Sequence, residues 1–255
     1  MSAFNRLNAS LRGKRLAVPV GASMVGLASF GLATAWLILG NSQAPELTNG
    51  AAASVLLLIV AVGSLLAIPF PERASNWLGP CLLWSVLALI GIGQFVESPG
   101  MVSAVEPVEA VAILLAIATL GAGGKHPIAT RLAMAITGAM LLLFGLIHLV
   151  HADALSEMVP GWIPLRDGIP YLTGSLMVAA ALAFGWSRAR PQAAKLIAVM
   201  FLCWLPVVHL ERLMQHPESF DEWRFALTAL ALAGALLLIA LGGAADGSRK
   251  GPPPR

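Results

Sequence analysis

The sequence predicts an all-α polytopic integral membrane bundle of about eight transmembrane helices, arranged as two parallel four-helix repeats. Composition is the first ground: 58% of the 255 residues are hydrophobic and only 11% are charged, against roughly 25% charged in a soluble domain. A mean hydropathy of +0.81 agrees. A chain so poor in charge cannot cover a water-facing surface, which excludes ordinary cytosolic enzymes, disordered regulators and secreted disulfide scaffolds. The second ground is the length of the apolar runs, each near the ~20 residues a spanning helix needs. The third is that Lys and Arg alternate with the runs as cytoplasmic retention requires.

The runs are Leu16–Leu39, Ala51–Phe70, Trp77–Val96, Val108–Gly123, Leu132–Val150, Ile169–Trp186, Leu196–Leu210 and Phe225–Leu241. They are continuous and rich in Ala, Leu and Gly, not alternating and β-branched, so they read as helices and not as barrel strands. The first follows Arg12-Gly-Lys-Arg15 and contains the small-x-small site Ala33-Thr-Ala35, yet it runs on through Trp36 to Leu39. It is therefore read as a retained helix and not a cleaved secretory signal. Domain organisation follows: a basic cytoplasmic segment 1–15, a four-helix half 16–123, a second half 131–243 with an interfacial loop 152–168, and a disordered cytoplasmic tail 244–255. A weak echo of Trp84 and Pro99 in Trp204 and Pro217 suggests the repeat. Small residues spaced by four, Ala22/Gly26, Ala135/Ala139 and Ala231/Ala235, are read as close helix contacts.

With both termini inside an inner (plasma) membrane, 13 of the 16 Lys and Arg fall in inside segments, leaving Arg166, Arg212 and Arg224 outside. Acids run the other way: all but Glu72 and Asp246 of the 13 lie outside. The net charge of +3 thus describes a basic face at an anionic leaflet, and nucleic acid is not an expected partner. Cys81 and Cys203 lie in apolar runs without metal spacing and are read as small buried hydrophobes.

Chemistry is expected at the outer face of the second half. A rise of about 1.5 Å per residue puts His148 about 25 Å and His151 about 30 Å from Arg131, and His209 about 21 Å from Lys195. These histidines, with Tyr171, Glu211 and Arg212, are the candidate ligand-binding residues, with His148 and His209 expected to share one site. Pro160, Trp162 and Pro164 are expected to hold an interfacial loop over that pocket, Trp162 anchoring it in the headgroup layer. Pro206 is expected to bend its helix just below His209.

The run Phe144-Gly-Leu-Ile-His148-Leu-Val-His151, then Met158-Val-Pro-Gly-Trp-Ile-Pro164, Tyr171-Leu-Thr-Gly174, Trp204-Leu-Pro-Val-Val-His209-Leu-Glu-Arg212 and Glu222-Trp223 resembles the DoxX-like bacterial membrane proteins over about residues 138–241. The chain differs in carrying Ile169-Pro170 before the tyrosine and four further helices ahead of the matched block. The resemblance implies a four-helix inner-membrane unit, in some members associated with thiosulfate:quinone oxidoreductase or with thiol and oxidative-stress complexes. Three function classes follow: a membrane subunit of a quinone- or thiol-linked redox system, a structural or assembly protein, and a small-molecule transporter. The absence of a mid-membrane charge in the runs counts against the last. Quinone or a metal ion is the cofactor considered, with the lipid bilayer and other membrane or periplasmic redox proteins as partners. Neutral His and Tyr can donate to quinone carbonyls without burying a permanent charge. Whether the protein is an enzyme is left open, for no nucleophile elbow or phosphate loop is present.

Overall fold

A computed structural model of the chain describes residues 3–39, 51–67, 77–121 and 127–246. Every regular element among them is helical: α1 (Ala3–Leu39), α2 (Ala51–Ala67), α3 (Leu78–Glu97), α4 (Val105–Gly121), α5 (Pro127–Val150), the short α6 (Ala152–Ser156), α7 (Ile169–Phe184), α8 (Arg190–Trp204), α9 (Leu210–Gln215) and α10 (Phe220–Asp246). A 3-10 turn, Arg166–Gly168, precedes α7, and a π turn, Leu205–His209, joins α8 to α9.

Six helical stretches are long and apolar enough to cross a membrane: Val20–Leu39, Leu78–Glu97, Thr130–Val150, Arg166–Phe184, Arg190–Gln215 and Phe220–Ala240. The two remaining runs are helical as well, but α2 and α4 have 17 residues each. That is about 26 Å of helix, against about 30 Å of hydrocarbon. The basic segment 1–15 is not separate from the first helix, because α1 starts at Ala3. Helix α10 likewise continues to Asp246, while 247–255, the rest of the expected tail, lie outside the described residues. The junction 122–126 and the segments 40–50 and 68–76, with Glu46, Glu72, Arg73 and Lys125, also lie outside them.

The helix at the centre is α10. Its segment Ala231, Leu232, Ala233, Gly234, Ala235 and Leu236 is enclosed on every side, which its all-round apolar character anticipates. It packs on α1, α4 and α8. The first and last spans of the chain are therefore neighbours, and the two halves of the sequence interleave. At the α1–α10 crossing a Cβ on Gly21 would lie 2.9 Å from the Gly234 carbonyl oxygen, and one on Gly234 only 2.7 Å from that of Gly21. Helix association in lipid relies on such close packing, because apolar burial offers no gain over lipid contact. Helices α5 and α7 meet the same way at Gly145 and Gly174. Of the expected small-residue pairs, Ala22/Gly26 and Ala231/Ala235 are buried. Ala135 and Ala139 face outward, because α5 turns Ala133, Thr137 and Met140 inward instead.

Buried hydroxyls satisfy themselves on their own helices: Ser29 donates to the Val25 carbonyl, Ser64 to that of Val60 and Thr137 to that of Ala133. Ser29 Oγ also accepts from the indole N–H of Trp84 at 3.0 Å, tying α1 to α3. Pro206 acts as its sequence suggests. Lacking an N–H it cannot continue the α-helical ladder, and the backbone widens there into the π turn that carries His209.

Candidate functional site

Several charged side chains lie around two neighbouring cavities. The C-terminal end of α3, the N-terminal ends of α4 and α10, and the C-terminal end of α5 all contribute to them. Arg224, in the first turns of α10, is 7% exposed. Its guanidinium lies 2.8 Å from a carboxylate oxygen of Glu106 on α4 and 3.6 Å from Asp221, one turn earlier on its own helix. The second distance is an ion pair and not a hydrogen bond, and Arg224 Nε and Asp221 Oδ1 are buried without hydrogen-bond partners among the described residues. Phe225 packs under the guanidinium at 4.5 Å. Glu109 follows Glu106 by three residues and so shares its helix face. It lines, with Trp84, Leu87, Ala110, Arg224 and Thr228, a cavity of about 10 Å³.

A second pair stands beside the first. Arg212 on α9 grips Glu222 with both arms, its Nε donating at 2.9 Å. The Glu222 side chain is 9% exposed, that of Arg212 34%. Asp221 and Glu222 occupy the first turn of α10, where the helix dipole favours negative charge. Above these pairs a larger open groove of about 430 Å³ is lined by Ser98–Ser103, Glu106 and His151. The turn forming its wall is held by Ser103 Oγ, which donates to the carbonyls of Ser98 (2.7 Å) and Gly100 (3.2 Å).

Of the residues singled out from sequence, only His151 lines either cavity. His148 is half-buried, with Nδ1 2.8 Å from the Phe144 carbonyl of its own helix, and its Cβ abuts Gly174 of α7. His209 sits on the π turn, which packs against α8, α9 and α10, whereas α5 packs on α4, α6 and α7. Phe144, one turn before His148, meets Phe201 of α8 with ring centroids 6.5 Å apart. Tyr171 is 49% exposed. Glu211 accepts from Gln215 on the surface, and Arg212 belongs to the Glu222 pair. Pro160 is buried, while Pro164 and Trp162 point away from the protein, Trp162 being 71% exposed. These loop residues line neither of the two cavities described above. Among the described residues no group of three or more His, Cys, Asp or Glu is placed to hold a metal ion. Cys81 is half-buried and Cys203 exposed, so the latter is not the buried hydrophobe expected.

The Arg224 cluster escaped the sequence reading because Glu109 and Arg224 sit at the rims of their apolar runs, where charges usually reach water. The signal available was an i, i+3 acid pair in α4 and the lone arginine opening α10.

A family model described as a domain of unknown function (DUF8561) matches residues 137–243. No curated protein and no solved structure matches the chain. The matched segment supplies Arg212, Asp221, Glu222, Arg224, Thr228 and the histidines. Glu106, Glu109 and Trp84 come from the preceding part of the chain, so the cluster is built across the boundary of the match.

Proposed function

We propose that the protein is a DoxX-like inner-membrane subunit of a redox system that binds a quinone-type headgroup in the groove at His151. In this reading α2 and α4 also cross the membrane. They bring the crossings to eight, in two four-helix halves with both termini inside, and the groove then faces outward beside periplasmic redox partners. The supporting observation is the groove itself. Its volume of about 430 Å³ falls within the usual range for small-molecule sites, and it sets an imidazole and a carboxylate beside the apolar Pro99, Met101 and Val102. A quinone ring can lie against the apolar wall while neutral His151 donates to one carbonyl oxygen. Glu106, fixed by Arg224, borders the same space and keeps a charged acceptor at its floor.

The buried Arg224–Glu106 and Arg212–Glu222 pairs favour one alternative, a non-catalytic assembly protein whose helix ends are locked by ion pairs. Purification in mild detergent, assay of the co-extracted lipid for quinone and metal, and titration with a short-chain ubiquinone analogue separate the two. The redox reading expects quinone in the preparation and binding weakened about tenfold by His151→Ala, the value of one hydrogen bond. A colourless preparation free of quinone and metal that does not bind the analogue establishes the assembly reading.

A further inference from the structure

We infer that the small cavity between α3, α4 and α10 is a proton-binding site, with Glu109 as the group that takes up the proton and Glu106 as its link to the open groove. The charge count is the starting point. Glu106, Glu109 and Asp221 surround one cation, Arg224, and an arginine does not give up its proton in a protein. With all three acids ionised the cluster carries two uncompensated negative charges around one buried arginine, the Glu106 and Asp221 side chains being 23% and 43% exposed, and like-charge repulsion opposes that arrangement. Taking up one proton halves that excess.

Geometry selects the acid. Both ion pairs of Arg224 are to Glu106 and Asp221, whereas Glu109 shares the cavity with Arg224. On α3 the cavity is faced by Trp84, whose N–H is already donated to Ser29, and by Leu87. On α4 it is faced by Glu106 and Ala110, and on α10 by Arg224 and Thr228, with Asp221 behind the guanidinium. Glu222 is turned to Arg212. No second cation among these residues is placed to hold Glu109 as a carboxylate. Arg224, more than nine-tenths buried, lines the same cavity, but its Nε is turned to Asp221 at 3.6 Å and its Nη1 to Glu106 at 2.8 Å, so both its ion pairs go to the other acids.

Volume selects the ligand. About 10 Å³ is at the lower bound for one water and far below what an organic ligand needs. Glu106 lines both this cavity and the open groove. A proton from groove water can therefore reach Glu109 by way of the Glu106 carboxylate, with His151 at the mouth. On uptake the Glu109 carboxylate becomes a carboxylic acid, and on release the proton returns to groove water. The site uses the groove described above but does not depend on what binds there, and its test needs no quinone.

The test is infrared difference spectroscopy on the full-length, ligand-free protein in lipid vesicles, recorded as the pH is stepped. The expected result is a carboxylic-acid carbonyl band that titrates, disappears in Glu109→Gln, and remains in Glu157→Gln, an exposed acid. Circular dichroism and gel filtration verify that the variants fold. If Glu109→Gln does not fold, Glu106→Gln supplies the readout. It removes a neighbouring negative charge and frees Arg224, so the band's midpoint is expected to fall by about one pH unit or more. No titrating band in the wild type, a band that survives Glu109→Gln, or a midpoint unmoved by Glu106→Gln would overturn the inference.

Discussion

At the residue scale, the buried charges have opposite roles that mutation can separate. Arg224 is the one cation among three acids, and its removal leaves Glu106 and Asp221 without that partner, though their side chains stay 23% and 43% exposed. Deleting one member of a fully buried pair costs about 3–5 kcal/mol. Arg224→Gln should therefore destabilise the protein by less than that in detergent denaturation, because solvent screens the acids left behind. Glu106→Gln should be destabilising too, whereas Glu109→Gln, which removes surplus negative charge, should be neutral or stabilising. Equal losses in all three variants would contradict the assigned charge balance. The Arg212–Glu222 pair should matter less when cut from the glutamate side, since the Arg212 left behind is 34% exposed and can be solvated, whereas cutting the arginine strands Glu222 at 9% exposure.

At the element scale, close helix crossings and one irregular turn set where side chains point. Gly174 allows α7 to reach α5 closely enough that an added Cβ would lie 2.9 Å from the Gly145 carbonyl oxygen and 2.9 Å from the His148 Cβ. Gly174→Ala should therefore push α5 and α7 apart and lower thermal stability by about 1–3 kcal/mol, as overpacking does. Gly161→Ala, with open space around its Cβ, is the control and should have little effect. The π turn at Leu205–His209 exists because Pro206 cannot donate. Pro206→Ala should let the ordinary helical ladder re-form, rotating His209 relative to Glu222 and Arg212. A cysteine crosslinking map of α9 against α10 that is the same with and without the proline would contradict this. Element existence was legible from run length and composition, and a break in the α-helical ladder from a single proline. The outward turn of Ala135 and Ala139 was not, since a four-residue spacing fixes a shared face without saying which neighbour it meets.

At the scale of the whole molecule, charge asymmetry predicts that the end bearing the Arg224 cluster and loop 152–168 faces outward. Ser156 is 8% exposed and a poor labelling position. Glu157→Cys, with Cys81 and Cys203 replaced, should react with an impermeant maleimide added to intact cells. Reaction only with a permeant reagent would reverse the orientation. The sequence by itself determined the helical class and the positions of the apolar runs, and its charge asymmetry predicts their sidedness. Hydrophobic length and charge segregation are properties of local composition, to which the bilayer responds directly. It likewise predicts one side of the membrane for Glu106, Glu109, His151, Arg212 and Arg224, because depth depends only on distance along a helix from its charged end. Tertiary structure alone decided which of these residues meet. The rotation of each helix about its axis is set by the neighbours it packs against, and α10 is oriented by α1, α4 and α8, elements up to about two hundred residues away in the chain. That rotation left Tyr171 on the surface and turned Glu109 and Arg224, at the edges of two unremarkable apolar runs, toward one small cavity.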